Sequence, residues 1–187
     1  WLVGGSIPLV SAEAGKVLNS CLVFDPQGER VARYDKIHLF GFQKDAERYN
    51  ESATIEAGSQ PVVFDAPFGR VGVSICYDIR FPELYRAQGA VDLQIIPAAF
   101  TETTGRAHWE ILLRARAIEN QCYVLAVAQG GKHENGRETH GNSMLIDPWG
   151  IILDRLPKGP GIVIGDVDHA RIADIRASLP ALKHRVM

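Results

Sequence analysis

The stretch Gly69-Arg70-Val71-Gly72-Val73-Ser74-Ile75-Cys76-Tyr77-Asp78-Ile79-Arg80-Phe81-Pro82-Glu83-Leu84 constrains this chain more than any other. Val71, Val73 and Ile75 alternate with small residues, which is the period of a strand. Pro82 then suits the first turn of a helix, where its missing N–H would have no partner anyway. Strand, sharp turn and helix in that order imply an α/β protein. They also put Cys76 at the carboxyl end of a strand, the edge where open α/β sheets collect ligands and nucleophiles. A thiol there can face a pocket, with backbone N–H groups of the next turn free to receive an oxyanion. The competing reading is a buried cysteine acting as a small hydrophobe.

The 187 residues suffice for one domain with a sizeable core, and residues 1–187 are expected to form a single domain without a linker. A net charge of −2, with no basic run, carries no nucleic-acid footprint. No apolar stretch approaches the roughly 20 residues that span a bilayer, so no membrane partner is expected. Cys21, Cys76 and Cys122 are too widely spaced for a disulfide framework or a metal signature. A reducing, cytoplasmic location is the expectation. The chain opens on Trp1-Leu2-Val3-Gly4-Gly5 without Met or a charged leader, and reads like the middle of a buried strand. A fragment lacking its first elements is therefore expected.

Val17–Phe24 and Arg30–Leu39 flank Asp25-Pro26-Gln27-Gly28, a hairpin signal. Asp147-Pro148-Trp149-Gly150 repeats the device between 143–146 and 151–156. Phe40–Ser59 and Gln129–Thr139 read as polar loops. Residues 61–65, 71–75, 93–96, 123–128 and 162–167 read as strands, with Pro97 closing the third. Helices are expected over 81–88, 107–121 and 170–178. In the second of these, Ile111, Leu112, Ala115 and Ile118 form the apolar stripe. Strands alternating with helices, plus hairpins, imply a mixed sheet covered by helices.

A thiol that cleaves a carbon–nitrogen bond needs a base, oxyanion donors and a proton for the leaving nitrogen. None of His38, His108, His133, His140, His169 and His184 lies in a Cys-His protease context. Ser74 and Asp78 stand where an α/β-hydrolase elbow has glycines. Lys36, in Arg33-Tyr34-Asp35-Lys36-Ile37-His38-Leu39-Phe40, could stabilise an oxyanion or lower the thiol pKa. An ordinary solvated lysine is the alternative. Arg80 could bind a substrate carboxylate or pair with Asp78. Phe42 and Phe100 could line a pocket or merely pack. Trp109, Cys21 and Cys122 read as core. His133, His140, Glu134 and Glu138 lack metal spacing and read as solvated side chains.

Three segments, in this order, resemble the nitrilase (carbon–nitrogen hydrolase) superfamily. They are Tyr34-x-Lys36-x-His38-Leu39-Phe40, Cys76 through Leu84, and His108-Trp109-Glu110-x-Leu112-Leu113-Arg114-Ala115-Arg116-Ala117-Ile118-Glu119. Asp147-Pro148-Trp149-Gly150 fits the same pattern, and the similarity covers essentially the whole chain. It is strongest to the Nit branch, which includes deaminated-glutathione amidases and ω-amidases. Phe81-Pro82-Glu83 and the run Arg114 to Cys122 lean towards the former.

The resemblance implies a nitrilase-like α-β-β-α sandwich, truncated at its amino terminus, and a homodimer. It implies hydrolysis of a small linear amide without metal or organic cofactor. Cys76 would be the nucleophile that forms a thioester. Lys36 and the backbone N–H of Tyr77 would hold the oxyanion. Glu51, in Tyr49-Asn50-Glu51-Ser52, would be the positioning glutamate, with Glu47 as its competitor. Arg80 and Phe100 would contact substrate. The family's general-base glutamate belongs to an early Pro-Glu motif that would precede Trp1. Pro82-Glu83 is a different motif, so the chain alone is expected to turn over little. Gly141-Asn142-Ser143 departs from the branch's Gly-His-Ser, which bears on the choice of substrate. The alternatives are an ω-amidase, an N-carbamoyl hydrolase, or a silent truncated binding or scaffold module. A thiol redox protein would want a resolving cysteine near Cys76.

Overall fold

Turn chemistry sets the two long hairpins. In a computed structural model that describes residues 1–44 and 47–186, Asp25 Oδ1 accepts the N–H groups of Gln27 and Glu29, each at 2.9 Å. Gly28 closes that turn at φ +83°, a region glycine enters without steric cost. Asp147 Oδ1 likewise takes the N–H groups of Trp149 and Ile151, at 2.9 and 2.8 Å. At Gly150 (φ +85°) a Cβ would fall 2.6 Å from the Ile118 side chain, so turn and helix close on each other only around glycine.

These hairpins sit in two sheets. Val17–Phe24 is the centre of the first. Leu2–Val3 and Ile7–Val10 run antiparallel along one edge. Arg30–Asp35 (antiparallel) and Ile55–Glu56 (parallel) take the other. The second sheet has the order Ile152–Leu156, Ser143–Ile146, Tyr123–Ala128, Leu93–Ala98, Gly69–Val73, Val62–Ala66. Its middle three strands are parallel, the geometry that buries both faces. The sheets meet where Arg30–Asp35 packs on Val62–Ala66. Helix α1 (Pro82–Gln88), α2 (Glu102–Asn120), α3 (His169–Ser178) and α4 (Ala181–His184) follow in the chain. The described residues thus supply helix, sheet and sheet of the expected layering. Val71, Val73, Ile96, Val124, Met144, Ile146, Trp109 and Leu113 form the heart of the core.

Several sequence expectations are corrected. Within Phe40–Ser59, Gly41–Lys44 pairs with Glu47–Asn50, and the Phe40, Phe42 and Tyr49 rings pack at 5.4–6.5 Å. Aromatic cross-strand contact makes a hairpin of a polar stretch. Gly130–Lys132 pairs with Glu138–His140 in the second presumed loop. The strand expected at 162–167 joins no ladder among the described residues: the Ile164 N–H goes to the Asp154 carboxylate at 2.8 Å instead, and Ile162 and Ile164 are exposed. Pro97 does not end its strand. Ile95 turns its carbonyl to the Ser74 N–H, so Pro97, two residues on, faces the same edge beyond the reach of the shorter neighbour. Its missing donor costs no ladder bond there.

Helix α2 starts earlier than expected, because Thr101 Oγ1 caps the Thr104 N–H. It also turns the other way. Gly105, Trp109, Leu113 and Ala117 face the core, while Ile111 and Ile118 are 69% and 48% exposed. The close approach decides this: a Cβ at Gly105 would lie 2.3 Å from the His140 side chain. Buried Arg116 is tolerated on that face because its Nε donates to the Ile79 carbonyl at 2.8 Å.

Candidate active site

The nucleophile candidate stands on a strained backbone. Cys76 has φ +52°, a region that costs a non-glycine residue about 1 kcal/mol or more. It opens a short 3-10 turn, Cys76–Arg80. Buried Asp78 holds the turn in place: its Oδ2 accepts the Ile75 N–H at 2.9 Å and the Tyr34 hydroxyl at 2.6 Å. Its Oδ1 receives the His38 N–H at 3.0 Å and lies 2.8 Å from His38 Nδ1. One carboxylate therefore ties the Cys76 turn to the segment that carries Lys36.

Lys36 is the first residue past the Arg30–Asp35 strand, and its N–H still bonds the Asn19 carbonyl at 2.9 Å. Its side chain is fully buried, and Nζ pairs with Glu51. Glu51 Oε2 also accepts the Phe40 N–H at 2.7 Å. Lys36 is thus no solvated strand-end lysine. Glu47 takes a different role, accepting from Thr103 Oγ1 at 3.0 Å.

Cys76, Lys36, Glu51, Tyr77 and Phe100 line one cavity of about 460 Å³. Burial pushes the Cys76 thiol above its ordinary pKa; Lys36, the Ala99 amide and Arg137 pull it back, while Glu51 adds to the rise. At neutral pH the sulfur is therefore protonated and needs a base before it attacks. Tyr77 lies in the first turn after Cys76, where helical N–H groups have no partner within the turn. Such an N–H and the Lys36 ammonium can together receive an oxyanion.

Other expected residues lie elsewhere. Arg80 does not pair with Asp78. Its Nη1 meets His108 Nδ1 at 3.2 Å, and its guanidinium lies over the Tyr77 and Phe100 rings at 5.5 and 5.3 Å. Phe42 packs in its hairpin rather than on the cavity. Glu83 is exposed on α1. Among the described residues no histidine lines the cavity. His133 and His140 are not free in solvent, lying 2.8 Å from Thr139 Oγ1 and 3.4 Å from Glu102. Asn142 is held off the cavity by Arg155 and gives its carbonyl to Trp109 Nε1 at 2.9 Å. Cys21 and Cys122 are buried and free. Arg137, Thr101 and Thr104 line the cavity as well. The positive φ of Cys76 and the position of Arg137 carry no local sequence signal, since both follow from tertiary closure.

Residues 1–177 match the family model described as carbon-nitrogen hydrolase. The chain belongs to that family. It is 48% identical to a Synechocystis protein named deaminated glutathione amidase, over 99% of this chain and 70% of that one. The structure of Saccharomyces cerevisiae Nit3, a member of branch 10 of the nitrilase superfamily, matches with TM-score 0.86 and 32% identity, over 99% of this chain and 66% of that one. The fold is accordingly the nitrilase sandwich. An amidase from Nesterenkonia sp. AN1 (TM-score 0.74, 30% identity, 94% and 66% covered) is described as carrying acrylamide added at its active site cysteine. The chain spans about two thirds of the length of such relatives.

Proposed function

We propose that the protein hydrolyses the carbon–nitrogen bond of small linear amides of the deaminated-glutathione type, through a thioester on Cys76. The observation that carries this reading is the shared cavity: a strained cysteine, a buried lysine and the glutamate that holds it. A base removes the thiol proton and sulfur attacks the carbonyl carbon. Lys36 and the Tyr77 N–H stabilise the oxyanion. The C–N bond then breaks, and nitrogen leaves with the transferred proton, as an amine from a secondary amide of the deaminated-glutathione type and as ammonia from a primary amide. Water attacks the thioester, releasing carboxylate and restoring the thiol.

Glu51 is assigned to Lys36 rather than to the thiol, since its Oε2 already serves Lys36 and the Phe40 amide. The general base is proposed to be a glutamate outside these 187 residues, as the family resemblance implies. Phe100, on the cavity wall, is proposed to contact substrate, whereas Arg80 lies off the wall, stacked on Phe100, and is proposed to act only by supporting that ring. Residues 1–177 fall under one family model, which supports a single domain. A homodimer is proposed. Its support is the apolar surface of Ile111, Ile118, Trp149 and Ile151, contiguous because Ile118 packs on the Gly150 turn. Three free cysteines support a reducing, cytoplasmic compartment.

Carboxylate release from a deaminated-glutathione-like amide, an ω-amide and an N-carbamoyl compound, with the matching amine or ammonia, tests the reading, using this chain and one extended at its amino terminus. The first amide should be preferred, Cys76→Ala should abolish release, and only the longer chain should turn over efficiently. Full release by Cys76→Ala would overturn the mechanism. Silence of both chains would favour a binding module.

A further inference from the structure

Arg137 differs from most other arginines of this protein. Arg116 pairs with Glu119, Arg155 with Glu110, Arg171 with Asp147 and Arg176 with Asp92. Among the described residues no carboxylate pairs with Arg137, although it lines the cavity that holds Cys76. It follows the turn of the Gly130–His140 hairpin, where the His133 N–H bonds the Arg137 carbonyl at 2.8 Å. Its Nη2 donates to the Ala99 carbonyl at 2.6 Å, and its guanidinium lies 5.3 Å over the Tyr49 ring. Those contacts fix the plane of the fork. Its Nε is buried and has no hydrogen-bond partner among the described residues.

The buried Nε leaves this charge poorly compensated, and an anion in the cavity would offset it through Nη1, which is not buried and has no partner among the described residues. The planar fork matches a carboxylate better than it matches a neutral amide oxygen. Among the described residues no carboxylate fills this need: Glu51, on the same wall, is committed to Lys36 and Phe40, and Glu47 accepts from Thr103 and is not part of the wall. Arg80 is engaged with His108 and two aromatic rings and is not part of the cavity wall.

We propose that Arg137 is a specificity-determining residue of this site, receiving a carboxylate that the substrate carries at the end remote from its amide. The site then takes amide monoanions in preference to neutral amides of the same length. This rests on the amidase reading above for the identity of the other end of the ligand.

The test separates binding from turnover. Succinamate, glutaramate and neutral butyramide are titrated calorimetrically into Cys76→Ser protein, with Arg137 intact or changed to Gln or Lys. Thermal melts check that each variant is folded. The better-bound monoanion should weaken about tenfold or more with Arg137→Gln, and less with Arg137→Lys, which keeps the charge but not the fork. Butyramide should change by less than about threefold, the scale of a contact that carries no charge. Equal weakening of all three ligands would make Arg137 a mere support of its hairpin and overturn the proposal. So would unchanged monoanion binding, or no saturable binding of either monoanion to the parent. Ammonia release by protein with Cys76 intact is the second arm. Monoanion binding that depends on Arg137 without any release would sink the amidase reading and leave the anchor standing. Release with KM raised equally for all amides by Arg137→Gln would sink the anchor alone.

Discussion

The two sheets reach the cavity by different means. The six-stranded sheet brings Cys76 just past the Gly69–Val73 strand, with Val71, Val73 and the following Ile75 all buried. The five-stranded sheet brings Lys36 from a far less covered layer, with Leu2 60% and Val10 91% exposed. Packing fixes the strand that leads to the first partner, and the Asp78 carboxylate fixes the turn that follows it. The second is fixed by polar bonds, from Asp78 to Tyr34 and His38 and from Glu51 to Lys36. The lesson is that a thin layer can still hold a side chain of the candidate site if buried hydrogen bonds tie it to the thick one.

That contrast can be broken at its strongest point first. Trp109→Ala, in the core of the thick layer, should cost about 4 kcal/mol by urea unfolding. Val10→Ser in the thin layer should cost less than about 0.5 kcal/mol. Comparable costs would mean that the layers do not differ. Asp78→Ala comes next, because it leaves the Tyr34 hydroxyl and the Ile75 and His38 N–H groups without their acceptor. A loss of about 3 kcal/mol is expected, against about 1 kcal/mol for Tyr34→Phe, which removes one hydroxyl.

Alkaline pH probes both layers through their buried thiols. Burial raises Cys21, in the first sheet, to about 11 and Cys122, below the second, to about 12. Above the ordinary thiol value of 9.0 the unfolded chain loses these protons and the native chain keeps them. Native stability therefore falls as pH rises from about 9, by up to about 1.4 kcal/mol per unit for each thiol. Replacing both cysteines by Ala should flatten that slope. The smallest effect tests the link between the sheets. Lys36→Met removes a charge that lowers the Cys76 pKa. The pH midpoint of Cys76 alkylation by iodoacetamide should move up, and labelling at pH 8 should slow several-fold, within the factor of about ten that one pKa unit represents. An unmoved midpoint would mean that Lys36 does not act on the sulfur.

Much of the thick layer was legible in the sequence. Alternating Val71, Val73 and Ile75, Pro82 at a helix start and the two Asp-Pro-x-Gly turns are local signals of local structure. Cys76, Lys36 and Glu51 could be named from motifs, and the fold brings the three to one cavity. What escaped was set at a distance. The pairing of Gly41–Lys44 with Glu47–Asn50 depends on Phe40, Phe42 and Tyr49 meeting, and Arg137 reaches the cavity only because its hairpin folds over Ala99. Helix α2 was assigned the wrong face because Ile111, Ala115 and Ile118 make the better apolar stripe. The tight contact of Gly105 with His140 and the Arg116–Ile79 bond turned it round.

The most direct measurement is the mass of the protein, acid-quenched during turnover of a linear amide by the amino-terminally extended chain. The account predicts an acyl adduct on the peptide containing Cys76, removable by hydroxylamine, and neither adduct nor ammonia with Cys76→Ser. Undiminished ammonia release by Cys76→Ser, with no adduct on any cysteine, would contradict it.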